Sequence, residues 1–182
     1  GPKTPWTEKS LRDIMDPFEE EGLKVINMMI GGNQNIIYGR EGRDEELRII
    51  QDSIVAAGKA GLPVVEYNFY AHRLMAGYYE VLARGGSGIT AFDYERARNL
   101  PVDEGKLMTA DELWENLAWF LKAAVPVAEK AGVRLALHPN DPPVPISHGH
   151  AQIMATFNDW KRLIELVDSP SNGMTYDCGV TR

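Results

Sequence analysis

Apolar positions recur along this chain in two rhythms. Between Glu8 and Glu20 they fall at Leu11, Ile14, Met15 and Phe18, the spacing of a helix that buries one face. Thr7 is placed to cap that helix, Gly22 to end it, and Pro17 predicts a kink within it. Leu23 to Ile30 then reads as a strand closed by Gly31-Gly32-Asn33. Asp44 to Lys59 returns to the helical rhythm with Leu47, Ile50, Ile54 and Val55, and Leu62 to Phe69 is a second strand. A polar, glycine-rich passage from Tyr70 to Lys106 interrupts the alternation, and an excursion of that length is usually functional or a lid. Thr109 and Glu112 form a capping box that opens a helix to Lys130, with a second predicted kink at Pro126. Val133 to His138 is the third strand. A helix starting at Thr156 or Asn158 runs to Val167, Ser169 to Gly173 is a turn, and Met174 to Cys178 is the fourth strand.

The helix–strand order repeats four times, and three joints look alike: Glu21-Gly22-Leu23, Ala60-Gly61-Leu62 and Ala131-Gly132-Val133. Each sets a glycine between a helix end and a buried strand. Such alternation predicts parallel βαβ units, whose strands all point one way and end on a common rim. Two architectures satisfy it, a (β/α)₈ barrel and an open doubly wound sheet. The phosphate-binding glycine fingerprints of the open sheet are missing, which favours the barrel. The expected fold class is therefore α/β, of the parallel (β/α) TIM-barrel type. The 182 residues cover about four βα units, a single partial barrel domain over 1–182: either the chain is a fragment, or two copies assemble, or the missing strands lie elsewhere.

Charge and composition narrow the partners. The formal net charge is −7, which argues against nucleic acid or an anionic membrane as the main partner. No apolar run approaches a membrane span, no signal-like segment occurs, and a lone Cys178 excludes an internal disulfide framework. A cytoplasmic protein is expected. The opening Gly1-Pro2 reads as the scar of a protease cleavage, so the natural start is not expected to be present.

Candidate chemistry gathers on the predicted rim. His138 closes an apolar run and meets Pro139-Asn140-Asp141-Pro142-Pro143, where no strand can continue. Asp177 stands at the equivalent end of the fourth strand. Imidazole and carboxylate are standard ligands of divalent cations, and neighbouring strand ends are close enough to share one. The plainer reading, a hydrogen-bonded buried histidine and a turn aspartate, has comparable weight. Cys178 competes with Asp177 for the ligand role, because strand alternation lets only one of them point inward. Tyr67 and Asn68 end the second strand, where they could donate hydrogen bonds to a polyol, although Tyr67 fits a core position equally well. His72, beside Arg73, and Arg84 in the glycine-rich excursion could hold an anionic group, with a solvated surface as the alternative. His148 and His150 form an H-x-H pair in a polar loop, a weak signal that usually means solvated side chains.

Three stretches carry a resemblance to a known family: Thr109 to Leu117, Ala131 to Pro143 with its His138-Pro139-Asn140-Asp141-Pro142-Pro143 segment, and Val167 to Thr175, supported by Tyr67-Asn68-Phe69. They resemble mannonate dehydratases, and more broadly the xylose-isomerase-like barrels. The resemblance runs through essentially the whole chain, and implies that the first strand and the C-terminal strands of the barrel are the ones lacking. It implies a (β/α)₈ barrel, a divalent metal (Mn²⁺ foremost, with Mg²⁺, Co²⁺ or Zn²⁺ as alternatives), and dehydration of D-mannonate to 2-keto-3-deoxy-D-gluconate in hexuronate catabolism. His138 matches a family metal ligand. The family's second ligand is usually a cysteine, and counting from Asn172-Gly173 its slot holds Asp177, with Cys178 one place later. Tyr67, His72 and Arg84 are the candidate catalytic helpers, and Asn68, Asn140 and Asp141 the candidate substrate contacts. A small sugar acid is the expected substrate and a homo-oligomer the expected assembly. Three alternatives stand beside this reading: a sugar isomerase or epimerase on the same barrel, a metal-dependent endonuclease, and a barrel fragment without activity.

Overall fold

A computed structural model describes residues 1–71 and 77–180. Its centre is a parallel sheet of four strands: β1 (Asn27–Ile30), β2 (Val64–Tyr67), β5 (Arg134–Leu137) and β8 (Asn172–Met174), in that spatial order. Sequence order and spatial order agree, so each crossover moves one strand along. The crossovers run through α2 (Gln34–Tyr38) with α3 (Arg43–Ala60), then α5 (Ala110–Ala131), then α6 (Phe157–Leu166), while α1 (Glu8–Glu20) precedes β1. This is the βα alternation of a barrel wall, with about four units present.

The caps form where side-chain chemistry predicts them. Thr7, Thr109 and Thr156 each cap the helix that follows through a reciprocal capping box. Gly61 and Gly132 end α3 and α5 at φ of +78° and +69°, a left-handed backbone that costs least at glycine. The helices α1 and α5 contain Pro17 and Pro126 and continue through them. Helices α3 and α5 pack side by side; a Cβ on Gly58 would overlap the carbonyl of Ala131, so that close approach depends on the missing side chain.

Strand alternation divides the sheet into two faces. Met28, Ile30, Val65, Tyr67, Leu135 and Leu137 join the core beneath Ile54, Leu117, Phe120, Leu121 and Ala124 of the helices. Each such side chain contributes about 1.5–3 kcal/mol by leaving water. The alternate residues form the concave face. Register places Met29 opposite Glu66, Glu66 opposite Ala136 and Ala136 opposite Gly173. One step further on, past the paired Tyr67 and Leu137, lie Asn68 and His138.

The strands are shorter than the apolar runs suggested. Leu23 and Ile26 precede β1 as exposed residues, outside the ladder. The fourth strand begins at Asn172, two residues earlier than its apolar signal, because Asn172 and Gly173 pair with β5. The excursion after β2 holds an antiparallel hairpin, β3 (Tyr78–Leu82) and β4 (Gly88–Phe92), followed by a short α4 (Tyr94–Ala97). A second small hairpin, β6 (Ile146–Ser147) with β7 (His150–Ala151), follows β5.

Candidate metal site

The ends of β5 and β8 place two side chains face to face. His138 is held to β2 by its backbone N–H, which donates to the Tyr67 carbonyl at 2.9 Å. Thr175 is held to β5 in the same way, donating to the Leu137 carbonyl at 3.0 Å. From these anchored ends the His138 Nε2 and Asp177 Oδ2 atoms approach to 3.5 Å. The imidazole is mostly covered and the carboxylate about one-third exposed, so the pair lines an accessible rim.

The surrounding hydrogen bonds fix what each group offers. His138 Nδ1 lies 2.8 Å from the Pro139 carbonyl oxygen. A carbonyl can only accept, so Nδ1 carries a proton and donates it. In the neutral ring Nε2 then presents a lone pair, the state in which histidine binds metals, oriented by a backbone carbonyl. Asp177 Oδ1 accepts the Gly179 N–H at 2.7 Å, which leaves Oδ2 as the oxygen facing the ring. Two acceptors therefore look at each other, an arrangement that a shared proton or a shared cation satisfies. With metal–ligand bonds of about 2.1 Å, ligands around one ion lie roughly 3.0–3.5 Å apart, so the observed spacing fits a cation. Among the described residues no cluster of three or more His, Cys, Asp or Glu side chains is disposed to hold a metal. The pair supplies two donors.

Below this pair on the concave face, Glu66 is buried within a strand that is otherwise apolar. Its Oε1 accepts from Thr175 Oγ1 at 2.6 Å and its Oε2 from Asn27 Nδ2 at 2.9 Å. Sequence reasoning passed over this residue, although a carboxylate inside the run Val64-Val65-Glu66-Tyr67 was the available signal. A cleft of about 310 Å³ opens beside Asn68, lined by Gly31, Gly32, Asn33, Gln34 and Tyr70 as well. Asn33 Nδ2 donates to the Asn68 carbonyl at 2.8 Å and so ties the ends of β1 and β2 together.

The remaining sequence candidates scatter. Tyr67 points into the helix-facing core, 2% exposed and packed edge-on to Phe120, because alternation puts it opposite in face to Glu66 and Asn68. Its buried hydroxyl has no hydrogen-bond partner among the described residues, and burial pushes its pKa far above the usual tyrosine value. The catalytic expectation for Tyr67 thus gives way to a core role. Arg84 sits exposed in the turn Arg84–Gly86 at the tip of the β3–β4 hairpin. The hairpin's other end is the one tied to the rim, by the Tyr78 hydroxyl donating to Asp141. At about 3.4 Å per residue along β3, Arg84 stands roughly 20 Å along the hairpin from that tie. Asn140 is 1% exposed, and its Oδ1 accepts the Met154 N–H at 2.6 Å, so it braces a loop instead of meeting a substrate. Asp141 remains near the rim with its Oδ1 engaged by Tyr78. Asp177 is the neighbour that faces His138, while Cys178 is an exposed free thiol. His72 lies outside the described residues. His148 and His150, expected to be solvated, both face the Asp103 carboxylate, at 3.4 and 3.3 Å. His150 Nδ1 also accepts the Met108 N–H, so the motif fastens the end of the excursion to the β6–β7 hairpin.

Known proteins are similar to this chain in sequence and fold. The family model of D-mannonate dehydratase (UxuA) matches residues 99–181, the segment that carries both His138 and Asp177. The mannonate dehydratase of Streptococcus pneumoniae is 30% identical over 96% of this chain. The crystal structure of mannonate dehydratase from Streptococcus suis superposes over 93% of the chain with a TM-score of 0.81 and 30% identity. The chain is thus similar to mannonate dehydratases in sequence and in fold. It spans about half the length of the relatives it matches, 54% of the S. pneumoniae protein and 50% of the S. suis chain. A D-tagatose 3-epimerase-like protein shares the fold at a TM-score of 0.58 and 18% identity, covering 95% of this chain and 51% of its own. That wider likeness is one of fold: the four βα units form part of a parallel (β/α) barrel, as the alternation of helices and strands implies. Among the described residues no helix is long and apolar enough to cross a membrane.

Proposed function

We propose that this chain supplies His138 and Asp177 to the divalent-cation site of a mannonate dehydratase, a lyase that removes water from D-mannonate to give 2-keto-3-deoxy-D-gluconate. The observation that carries the reading is the opposed pair of acceptors, His138 Nε2 and Asp177 Oδ2, at 3.5 Å on the strand-end rim. Mn²⁺ is the cation the family resemblance implies, and an imidazole with a carboxylate is compatible with it as with Mg²⁺, Co²⁺ and Zn²⁺. When bound, the cation would hold the carboxylate end of the sugar acid and make the adjacent C–H proton more acidic.

The chain's own groups do the rest of the positioning. The Pro139 carbonyl fixes the ring tautomer of His138, and the Gly179 N–H fixes the rotamer of Asp177. Asn68, beside His138, is one proposed substrate contact at the edge of the adjoining cleft, where its Nδ2 now donates to Met29 Sδ at 3.1 Å and would exchange that weak partner for a polyol hydroxyl. Asp141 is the second proposed substrate contact, and His72 is assigned the acid–base role. Cys178, one residue beyond the pair, is an alternative donor in the metal-bound state. The enzyme would act in hexuronate catabolism as a cytoplasmic homo-oligomer.

Mn²⁺ titration followed by electron paramagnetic resonance tests the site. The H138A and D177A variants should each weaken binding at least about 100-fold, whereas C178S should bind as the parent does. Unchanged affinity in H138A or D177A would remove the basis of the proposal. Incubation of the Mn²⁺-loaded protein with D-mannonate should yield the 2-keto-3-deoxy acid. Isomerised aldoses or ketoses in its place would assign the site to sugar isomerisation.

A further inference from the structure

We propose that Glu66 is a positioning residue for the cation site, acting across the concave face through Thr175; the inference rests on the cation reading of the His138–Asp177 pair. Glu66 lies on β2 and Asp177 follows β8, with β5 between them. The carboxylate must therefore reach over one whole strand. The row it crosses is cleared for it, since Glu66 stands in register with Ala136, and Ala136 with Gly173. A methyl group and a hydrogen follow the carboxylate along the row, so its side chain can lie flat and meet Thr175 at 2.6 Å.

Thr175 is the last anchored residue before Asp177. Its N–H is bound to β5 and its hydroxyl to Glu66, so both its main chain and its side chain are fixed. Asp177 is two residues further on, past the end of β8, where its carboxylate meets the His138 ring. The position of Oδ2 relative to His138 is thereby referred to β2 as well as to β5. Glu66 is itself held at its second oxygen by Asn27 of β1, so one buried carboxylate joins the first, second and fourth strands. Glu66 is 8% exposed, and both its oxygens are taken by neutral donors, so its part is to hold geometry and not to ligate or move a proton. Among the described residues no basic side chain forms an ion pair with it. A carboxylate placed in this way also adds to the negative potential that favours a cation at the rim above it.

The test uses Co²⁺ as a spectroscopic probe, with the T175V, T175S and E66A variants. T175V keeps the branched shape and removes only the hydroxyl. It should lower Co²⁺ affinity 10–100-fold and alter the visible d–d spectrum, the usual consequence of losing an outer partner of a ligand. T175S retains the hydroxyl and should restore both. E66A should match T175V; if E66A does not fold, the T175V and T175S comparison decides. Parental affinity and spectrum in T175V would overturn the inference. Absence of Co²⁺ binding by the parent would instead overturn the cation reading, and the positioning role is then judged without metal. In that case crystal structures of the parent and T175V are compared. A His138–Asp177 separation that widens in T175V supports the role, and an unchanged separation refutes it.

Discussion

A tyrosine at a strand end can face the chemistry or the core, and Tyr67 shows how one step of register chooses between them. Glu66 and Asn68 look into the concave face; Tyr67, between them, lies against Phe120 with ring centroids 5.4 Å apart. Its hydroxyl is buried without a partner among the described residues, which costs about 1–3 kcal/mol. Y67F should therefore leave the protein as stable or more stable in urea-unfolding experiments. The same residue predicts an alkaline limb. Burial raises the folded-state pKa above the unfolded value of about 10, so the unfolded chain loses this proton first. Stability from this group is complete below about pH 10 and falls as the pH rises beyond it. In Y67F that limb should be shallower, by an amount measurable as the difference in unfolding midpoint between pH 9 and pH 11.

Helix α5 carries the clearest local code in the chain, and its N-terminus can be tested directly. Thr109 Oγ1 accepts the Glu112 N–H at 3.3 Å, and Glu112 Oε2 accepts the Thr109 N–H at 3.0 Å. The Thr109 N–H, with Lys106 and the Thr109 hydroxyl adding to it, holds the Glu112 carboxyl down at about 2. A lowered carboxylate pKa stabilises the fold above the unfolded value of about 4.3, and that contribution is lost as the pH falls toward 2. Glu112 is solvent-accessible, so screening keeps the effect small. T109A should cost about 1 kcal/mol at pH 7, and E112Q should flatten the acid limb of the stability curve. Capping boxes and glycine stops of this kind are why the helices and the order of βα units were readable from residues alone. Strand ends were less so, because an apolar run marks burial and not pairing: Leu23 and Ile26 are apolar yet precede the ladder, whereas Asn172 is polar yet pairs within it. His138 stood out because it breaks an apolar run at a strand end; Asp177 stood out less exactly, since it lies three residues past Met174, the last residue of its strand. Glu66 was not, since its meaning lies in Thr175, 109 residues away in the chain.

At the scale of the whole molecule, two regions of unequal cohesion meet at the rim. The parallel sheet is backed by α3 and α5 and shares one continuous core with them. The β3–β4 hairpin has no residue in that core; it carries exposed Leu82 and Ile89, and its ring pair Tyr78–Phe92 packs at its base. One of its ties to the rim is the hydrogen bond from the Tyr78 hydroxyl to Asp141, in the loop that begins at His138. Few buried apolar contacts and an exposed backbone place an element at the low end of local stability. Native-state hydrogen exchange should therefore find the amides of 78–92 opening well before those of β1, β2, β5 and β8. Y78F removes the tie to Asp141 while leaving the ring in place against Phe92. It should speed exchange across the hairpin several-fold and leave the four sheet strands at parental rates. If exchange in β5 rose equally, hairpin and sheet would be one cooperative unit. If the hairpin alone responded, the loop bearing His138 would join a stable wall to an element that opens independently of it.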